Sequence, residues 1–467
     1  MKLKDIINNI PNQHGLFERS VGFVHAVNNG IATVIGLLDV QYYEVVLFAN
    51  GLEGLVISIT EHYCNITVLS SQSVACGMEV NRTHKDLSIK VSNEMIGRCL
   101  NGYGHSNESF REYELRPIER EPLGMLDITP VTKQVITGIC AIDWFCPIGY
   151  GQREAIASPK FIGEDSVIKF IMSNLRSDPD TLFIYCGIGQ KIDFASDLYT
   201  YMKQSKIDNF ILFVANASDE AIMRYICPYA ACATAEYFKD LGRNVIIFYH
   251  DLTQHAVSHR EIALITKMAV GREAYPADIT YIHSRLLERA ACFEKGSITA
   301  IPFVVTEGSD LSGSFIPNNV ISITDGQILF NENKFQKGLH PAIDIGQSVS
   351  RIGFSIQNKY MRKLCGPLKL QMSRAEQLHS FAQFSDSKSA DDVELLNLRE
   401  KVLEFINQED PYPLYLQILI LYGISKNCIR INKNTFIEKA IRFENLSKEI
   451  CDGDEQIIGN IFSKIHQ

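Results

Sequence analysis

The 467-residue sequence has no run of about 18 or more apolar residues, the length that a membrane-spanning helix requires. Its opening stretch, MKLKDIINNIPNQ, also lacks the continuous apolar segment of a secretory signal peptide. Hydrophobic residues make up 46% and charged residues 21% of the chain, which is typical of a globular protein. We therefore expect a protein that meets a membrane only through its partners.

A basic excess and paired cysteines are also missing. The formal net charge is -9, whereas proteins that bind nucleic acid usually carry a surplus of lysine and arginine. The 12 cysteines form no CxxC pair, and even Cys227 and Cys232 have the wrong spacing for a zinc knuckle. We predict no nucleic-acid partner, no metal site and no disulfide. The cysteines are interpreted as small buried residues in a reducing compartment.

What the sequence does contain changes character along the chain. Short alternating apolar runs, broken by glycine and asparagine, fill residues 21–92 and predict a small antiparallel β-barrel. Near-continuous apolar runs follow from about residue 130 to 360. Strands of that kind are buried on both faces, which favours a parallel sheet with crossover helices. The clearest predicted strands are TLFIYCGIG (181–189), NFILFVAN (209–216) and NVIIFYH (244–250).

Helical periodicity dominates the chain from about residue 365 to its end. The predicted fold is therefore a multidomain α/β chain with a barrel, an α/β core and a helical bundle. The predicted parts are an N-terminal segment (1–20), the barrel (21–92), the α/β domain (93–362) and the helical domain (363–467).

The stretch GQREAIASPKFIGEDS (151–166) lies where a strand-like segment passes into a helix-like one. A working phosphate-binding loop reads GxxxxGK[ST]: its amides surround the phosphates, its lysine neutralises them and its hydroxyl holds magnesium. Only Gly163 fits that pattern here. Negative charge stands where the lysine belongs, and a proline removes one backbone N–H. The slots are filled by Ser158, Pro159, Lys160, Phe161, Ile162, Gly163, Glu164 and Asp165.

Two other positions fit a nucleotide site that has lost its function. Nucleotide enzymes place an acidic residue after a strand such as NVIIFYHD to hold the magnesium shell. Here that strand ends in His250, and Asp251 comes one residue late, which would turn its side chain to the opposite face. Gln190, in IYCGIGQK, is an amide and cannot act as a general base.

A group of histidines follows the same strand. His255 and His259 stand four residues apart on a predicted helix, a spacing that can bind zinc, but the glutamate of the HExxH motif is missing. Exposed or interface histidines are the favoured interpretation.

Several long blocks resemble the alpha subunit of the rotary F-type ATP synthase. The match is collinear from roughly residue 20 to 440. It implies an N-terminal barrel crown, a RecA-like P-loop-type domain and a C-terminal helical bundle. The blocks are TGICAIDWFCPIGYGQRE (137–154), GREAYPADITYIHSRLLERAA (271–291), PNNVISITDGQILF (317–330), PAIDIGQSVSRIG (341–353) and FAQF (381–384).

The resemblance also implies what the altered loop once did. Alpha subunits carry a regulatory site for Mg-ATP or Mg-ADP that does not turn over, and a glutamine at the Gln190 position is usual for them. The family's magnesium aspartate falls on His250, and an arginine that lines the pocket falls on His340. With the loop itself altered, we expect that this chain has lost its own nucleotide site.

The residue types that would act on a neighbouring chain are all present. The resemblance places an arginine finger, donated to the beta subunit's catalytic site, at Arg351, with Ser348 and Ser322 in the same interface motif. It implies as partners the beta subunit in an alternating hexamer, the gamma shaft and the delta or peripheral stalk. It also implies peripheral association with the cytoplasmic face of a bacterial inner membrane, rather than the mitochondrial matrix side.

Three functions are weighed. The first is a non-catalytic alpha subunit of a proton-translocating ATP synthase, inactive as an isolated chain. The second is a paralogous structural subunit of a specialised rotary motor that does not make ATP. The third, an autonomous hexameric helicase or export ATPase, is disfavoured because the loop has no lysine at position 164.

Overall fold

The computed structural model describes most of the chain, in two compact units that divide between Leu87 and Ser88. The predicted N-terminal segment, 1–20, lies outside the described residues, as do three of the four residues of the FAQF block. The described ranges are 21–28, 30–69, 74–106, 108–120, 124–308, 313–381, 389–453 and 455–466.

The first unit is a closed antiparallel barrel with the strand order β1–β2–β5–β4–β3–β6. Alternation along the strands puts branched residues such as Val46, Val56 and Ile66 into the barrel interior. Glycine enables the tight turns, as at Gly51, where φ is 81°. The strands are β1 (Val21–Asn28), β2 (Ile31–Ile35), β3 (Glu44–Phe48), β4 (Glu53–Ile59), β5 (Cys64–Val68) and β6 (Glu79–Asp86).

The second unit is built on a sheet with the order β18–β17–β12–β16–β15–β13–β14–β8. Neighbouring strands are parallel except for β18, which runs antiparallel to β17. Two short pairs, β7–β9 and β10–β11, lie outside this sheet. The strands are β7 (Ser88–Val91), β8 (Cys99–Asn101), β9 (Glu114–Pro117), β10 (Gln134–Val135), β11 (Ile148–Gly149), β12 (Ala155–Ser158), β13 (Thr181–Gln190), β14 (Phe210–Asn216), β15 (Asn244–His250), β16 (Ser297–Val305), β17 (Gly326–Leu329) and β18 (Val349–Ser350).

Helices connect these strands and cover the sheet. The central strands are buried along nearly their whole length because helices pack on both faces, which explains their unalternating apolar sequences. The three strands predicted at 181–189, 209–216 and 244–250 are confirmed to within one residue at each end. The helices are α1 (Cys140–Phe145), α2 (Ser166–Asn174), α3 (Ile192–Gln204), α4 (Ala221–Asp240), α5 (Leu252–Ile265), α6 (Ile279–Leu287), α7 (Phe315–Ile323) and α8 (Glu332–Gln336).

The C-terminal part of the second unit is helical and packs against α1. Gln408 accepts a hydrogen bond from the backbone N–H of Cys140 (2.7 Å) and donates one to the carbonyl of Gly138 (3.0 Å). Gln417 donates to the buried carboxylate of Asp143 (2.7 Å). The helices are α9 (Lys359–Phe381), α10 (Ala390–Ile406), α11 (Leu414–Ser425), α12 (Lys433–Ile441), α13 (Ser447–Asp452) and α14 (Glu455–His466).

The predicted fold class is confirmed: an antiparallel barrel, an α/β core with a parallel sheet and a helical C-terminal region. Among the helices that the structure describes, none is both long and apolar enough to cross a bilayer.

Candidate functional site

The altered loop joins the end of β12 to the start of α2, at the carboxyl edge of the parallel sheet. Ligands of α/β proteins bind at this edge, because strand ends and helix N-termini meet there. The loop needs two residues in the left-handed region, Gly163 (φ 85°) and Phe161 (φ 65°). The Phe161 side chain is 82% exposed. The location is that of a phosphate-binding loop, although the sequence is not.

Glu164 turns back onto its own loop. Its Oε1 accepts a hydrogen bond from the backbone N–H of Phe161 (3.3 Å), and its Oε2 accepts one from the N–H of Ile162 (3.1 Å). Backbone amides of this kind are the groups that a phosphate-binding loop offers to its anion. Here the anion is a side chain of the same loop.

Asp165 and His250 lie side by side at the start of α2 and the end of β15. Nε2 of His250 is 3.4 Å from Oδ1 of Asp165, and Nδ1 of His250 is 3.1 Å from the hydroxyl of Tyr185. Burial lowers the pKa of His250 to about 3 and raises the pKa of Asp165 to about 6. At neutral pH a neutral imidazole therefore faces a carboxylate.

Aromatic rings enclose His250 on its remaining sides. The ring centroids of Phe303 and Phe194 lie 5.0 Å and 5.2 Å from that of His250, and the imidazole is buried. Nδ1 of His250 is within hydrogen-bond distance of the Tyr185 hydroxyl, whereas Oδ1 of Asp165 is buried and accepts no hydrogen bond from the described residues. Tyr185 is a residue of this site that the sequence did not single out, because it lies within an unbroken apolar strand.

Asp251 has a capping role. Its Oδ1 accepts a hydrogen bond from the backbone N–H of Gln254 (2.6 Å) and thereby caps the N-terminus of α5. Its Oδ2 accepts one from the side-chain amide of Gln190 (3.3 Å), and burial raises its pKa to about 6. The predicted alternation of faces between His250 and Asp251 does not apply, because β15 ends at His250 and Asp251 already belongs to the helix start.

Of the remaining loop residues, Lys160 brings positive charge near the site, where it lowers the pKa of Asp251 against the larger effect of burial. Ser158 is buried and donates its hydroxyl to the carbonyl of Pro159 (2.7 Å), whereas Lys160 is exposed. His340 is exposed, and its ring contacts Phe335 edge-on with centroids 5.1 Å apart.

Arg351 lies at the opposite, amino end of β17. Antiparallel pairing of β17 with β18 places Gly326 opposite Ser350, and the N–H of Arg351 donates to the carbonyl of Asp325 (2.8 Å). The Nη1 of Arg351 donates to the carbonyl of Thr324 (3.2 Å), and the residue is exposed. An exposed guanidinium on a well-ordered base can reach a second chain.

A half-buried ion pair fixes that base. The guanidinium of Arg153 donates twice to the carboxylate of Asp325 (3.1 Å and 2.7 Å), and the Arg153 N–H adds a third bond (3.0 Å). The hydrogen bond to Asp325 raises the pKa of Arg153, so the guanidinium stays charged. Beneath it, burial raises the pKa of Glu154 well above its usual range. Sequence reasoning singled out none of the three, although all lie within the recognised blocks 137–154 and 317–330.

The two serines of the interface motif differ in exposure. Ser348 is fully buried, and its hydroxyl accepts a hydrogen bond from the N–H of Leu329 (3.0 Å). It therefore lies inside the domain and cannot itself contact another chain, contrary to its assignment as a group acting in trans. Ser322 is exposed and donates to the carbonyl of Asn319 (2.7 Å).

The histidines after β15 are buried, so the interpretation of them as exposed or interface residues is wrong. Nδ1 of His255 lies 3.1 Å from Nε2 of His283, and Nε2 of His259 lies 2.9 Å from Asp278. Helix packing brings His283 from α6 to this group, which the sequence spacing could not reveal. Within the described ranges no cluster of three or more His, Cys, Asp or Glu side chains is arranged to hold a metal.

Comparison with known proteins gives a consistent result. Residues 138–350 match the model of the ATP synthase alpha/beta family, nucleotide-binding domain, and residues 357–463 match that of the ATP synthase alpha/beta chain, C terminal domain. The chain is 36% identical over 467 residues to ATP synthase subunit alpha of Flavobacterium johnsoniae, covering 92% of this chain and 88% of the relative. For the Staphylococcus epidermidis protein of that name, identity is 39% over 417 residues, with 87% and 82% covered.

Proposed function

This chain belongs to the ATP synthase alpha/beta family as an F-type alpha subunit, and from that membership we propose that it is a non-catalytic ring subunit. In this proposal it alternates with beta subunits in a hexamer, donates Arg351 to the beta catalytic site and carries no nucleotide in its own site. The ATP synthase complex, rather than this chain alone, is the enzyme.

The exposed Arg351 is the observation that carries the proposal. A guanidinium that reaches the γ-phosphate from a neighbouring chain stabilises the negative charge of the phosphoryl-transfer transition state. Its usefulness depends on fixed placement, which the Arg153–Asp325 pair and the β17–β18 pairing supply. In the same proposal, buried Ser348 positions the turn and exposed Ser322 lies on the contact surface.

The residues of this chain's own site do not fit a magnesium nucleotide. Loop amides are bonded to Glu164, and the carboxylate of Asp165 stands where a hydroxyl should bind the metal. At about 4 Å and an effective dielectric near 20, replacing the lysine by glutamate turns an attraction of about 4 kcal/mol into a repulsion of similar size. Neither Lys160 nor buried, neutral His250 compensates for this change.

The proposed partners follow from family membership. They are the beta subunit, the gamma shaft and the delta or peripheral stalk. Through them the chain would associate with a proton-conducting membrane sector, on the cytoplasmic face of a bacterial inner membrane. Mg-ATP or Mg-ADP enters this proposal only as the ligand of the beta subunit.

The decisive experiment is a steady-state ATPase assay on the assembled complex. Replacing Arg351 with alanine should abolish turnover, whereas Lys160→Ala should leave it unchanged because Lys160 lies at the altered loop. Full turnover by the Arg351 variant would overturn the finger assignment. Calorimetric titration of the isolated wild-type chain with Mg-ATP should detect no tight stoichiometric binding.

A second candidate is a paralogous structural subunit of a specialised rotary motor that does not make ATP. The loss of three separate parts of the nucleotide site, at the loop, His250 and His340, favours it. Reconstituting the complex with its membrane sector in sealed vesicles separates the two. ATP synthesis on an imposed proton gradient supports the first candidate, and its absence in a complex that hydrolyses ATP supports the second.

A further inference from the structure

A phosphate-binding loop normally depends on its ligand to hold its shape. Its amides must find an acceptor, because unpaired backbone N–H groups at a partly buried site cost free energy. The loop between β12 and α2 keeps this demand: Phe161 and Gly163 both have positive φ, and for phenylalanine that conformation is unfavourable. Something must therefore replace the phosphate if the loop is to keep this conformation.

The carboxylate of Glu164 meets that demand. Its two oxygens each take one amide, from Phe161 and Ile162, as two oxygens of one phosphate would. Glu164 also lies directly before the N-terminus of α2, where the helix dipole favours negative charge. The substitution that removes the lysine thus also supplies an anion.

The metal side of the site shows a matching replacement. In a working site magnesium links the hydroxyl residue of the loop to the acidic residue after the strand. Here Asp165 and His250 occupy those two positions, with Oδ1 and Nε2 3.4 Å apart and no hydrogen bond between them. Tyr185 holds the imidazole from its other nitrogen at 3.1 Å. A carboxylate now stands in place of the hydroxyl and an imidazole in place of the acid, and the two side chains adjoin each other directly.

We propose that this is a self-ligated phosphate loop. The Glu164 carboxylate takes the place of a phosphate on the amides of Phe161 and Ile162, and the adjoining side chains of Asp165 and His250 fill the place of the magnesium between the loop and β15. The inference rests on the proposed function, in which the chain's own site is empty. It adds that the loop is held in its liganded shape by the chain itself, so nucleotide is not needed to order it.

Hydrogen exchange on the full chain tests the phosphate part. Glu164→Ala removes both acceptors, so exchange of the amides in residues 158–165 should rise about tenfold or more. Glu164→Gln keeps one side-chain oxygen that can accept from a backbone N–H, so the exchange rate should rise less. This variant remains informative if the alanine variant folds poorly. Glu332→Ala, at an exposed glutamate of α8 in the same unit, is the matched control and should leave that peptide unchanged.

A double-mutant cycle tests the metal part. Asp165→Asn and His250→Asn, singly and together, should show coupling of about fivefold in the unfolding equilibrium constant, because the two side chains contact each other. Additive effects would overturn the Asp165–His250 assignment. Unchanged exchange in the loop of both Glu164 variants would overturn the Glu164 assignment.

The same preparations separate this inference from the proposed function. Tight binding of Mg-ATP by the wild-type chain in calorimetry contradicts the empty site and with it both statements. No binding, together with exchange that Glu164 does not affect, leaves the proposed function intact and removes only the self-ligated loop.

Discussion

The loop at residues 158–165 and the turn at Arg351 lie at opposite ends of the same parallel strands, β12 and β17. At the carboxyl end, only Gly163 of residues 158–165 fits the phosphate-loop pattern. At the amino end, the arginine is exposed and its base is held by the Arg153–Asp325 pair. In the proposed function, this strand pair carries an altered site at one end and an intact one at the other. In that proposal, service to a neighbouring chain and binding of a ligand of its own are separable properties of this fold.

The largest expected effect is at the intact end. Arg351→Ala should lower kcat of the assembled complex by about 10³-fold or more, because transition-state charge on the partner's nucleotide loses its cation. Arg351→Lys keeps the charge but loses the planar fork, so its kcat should lie between those of wild type and the alanine variant. Equal kcat values for the wild type and both Arg351 variants would show that Arg351 has no catalytic role, and the two ends of β12 and β17 would no longer differ in function.

A smaller loss should follow from loosening the base of the finger. Asp325→Asn removes the carboxylate that Arg153 grips, and a displacement of about 1 Å at the reacting groups can cost up to about 10²-fold. We expect kcat to fall about 10- to 100-fold with KM nearly unchanged. In the Arg351→Ala background the same substitution should have no further effect, since it acts through the arginine. An additive loss would instead indicate general damage to the domain.

The altered end should be recognisable by its response to acid. His250 has a folded pKa of about 3, below its usual value near 6.5, so folding is fully favoured above pH 6.5 and loses stability as the pH falls below it. Between pH 6.5 and 5 the wild type should lose up to about 2 kcal/mol more than His250→Asn. Denaturant unfolding at both pH values measures this difference. The raised pKa values of Asp165 and Asp251 make the free energy of unfolding rise as the pH falls, which opposes the effect of His250. Both residues are present in the two proteins, so the comparison isolates His250.

The smallest effect is expected for the lysine that remains in the loop. Lys160→Ala removes an exposed side chain and should change ATPase turnover less than about twofold and the free energy of unfolding by less than about 0.5 kcal/mol. Steady-state assays and denaturant melts on the same preparation give both values. A large loss of turnover would show that the loop still handles phosphate, and the contrast between the two ends would fail.

Much of the fold could be predicted from the sequence, because its signals are local or long. The barrel follows from short alternating runs, and the buried strands β13, β14 and β15 follow from apolar runs bounded by polar residues. The positions of the altered loop and of Arg351 followed from extended blocks whose order matches a known family. Such signals survive substitution of individual residues.

Contacts between distant segments could not be predicted in this way. Tyr185 looks like any core residue of β13 until β15 brings His250 beside it. Asp251 was expected to alternate along a strand, but a helix begins there and uses its carboxylate as a cap. Ser348 was assigned to an interface motif by the family resemblance, whereas the structure buries its hydroxyl against the N–H of Leu329. Each of these cases concerns which face a residue occupies.

The shortness of β12 has a consequence for how the catalytic rate of the proposed ring would be controlled. Its four residues, Ala155–Ser158, span about 13 Å between the Arg153–Asp325 pair and the loop. In a chain that bound and released its own nucleotide, β12 could transmit the change in nucleotide occupancy to the position of Arg351. A loop whose amides are bonded to the Glu164 carboxylate undergoes no such change. The position of Arg351 would then be constant. Every change in the catalytic rate of the ring would have to originate in the beta subunits or the shaft.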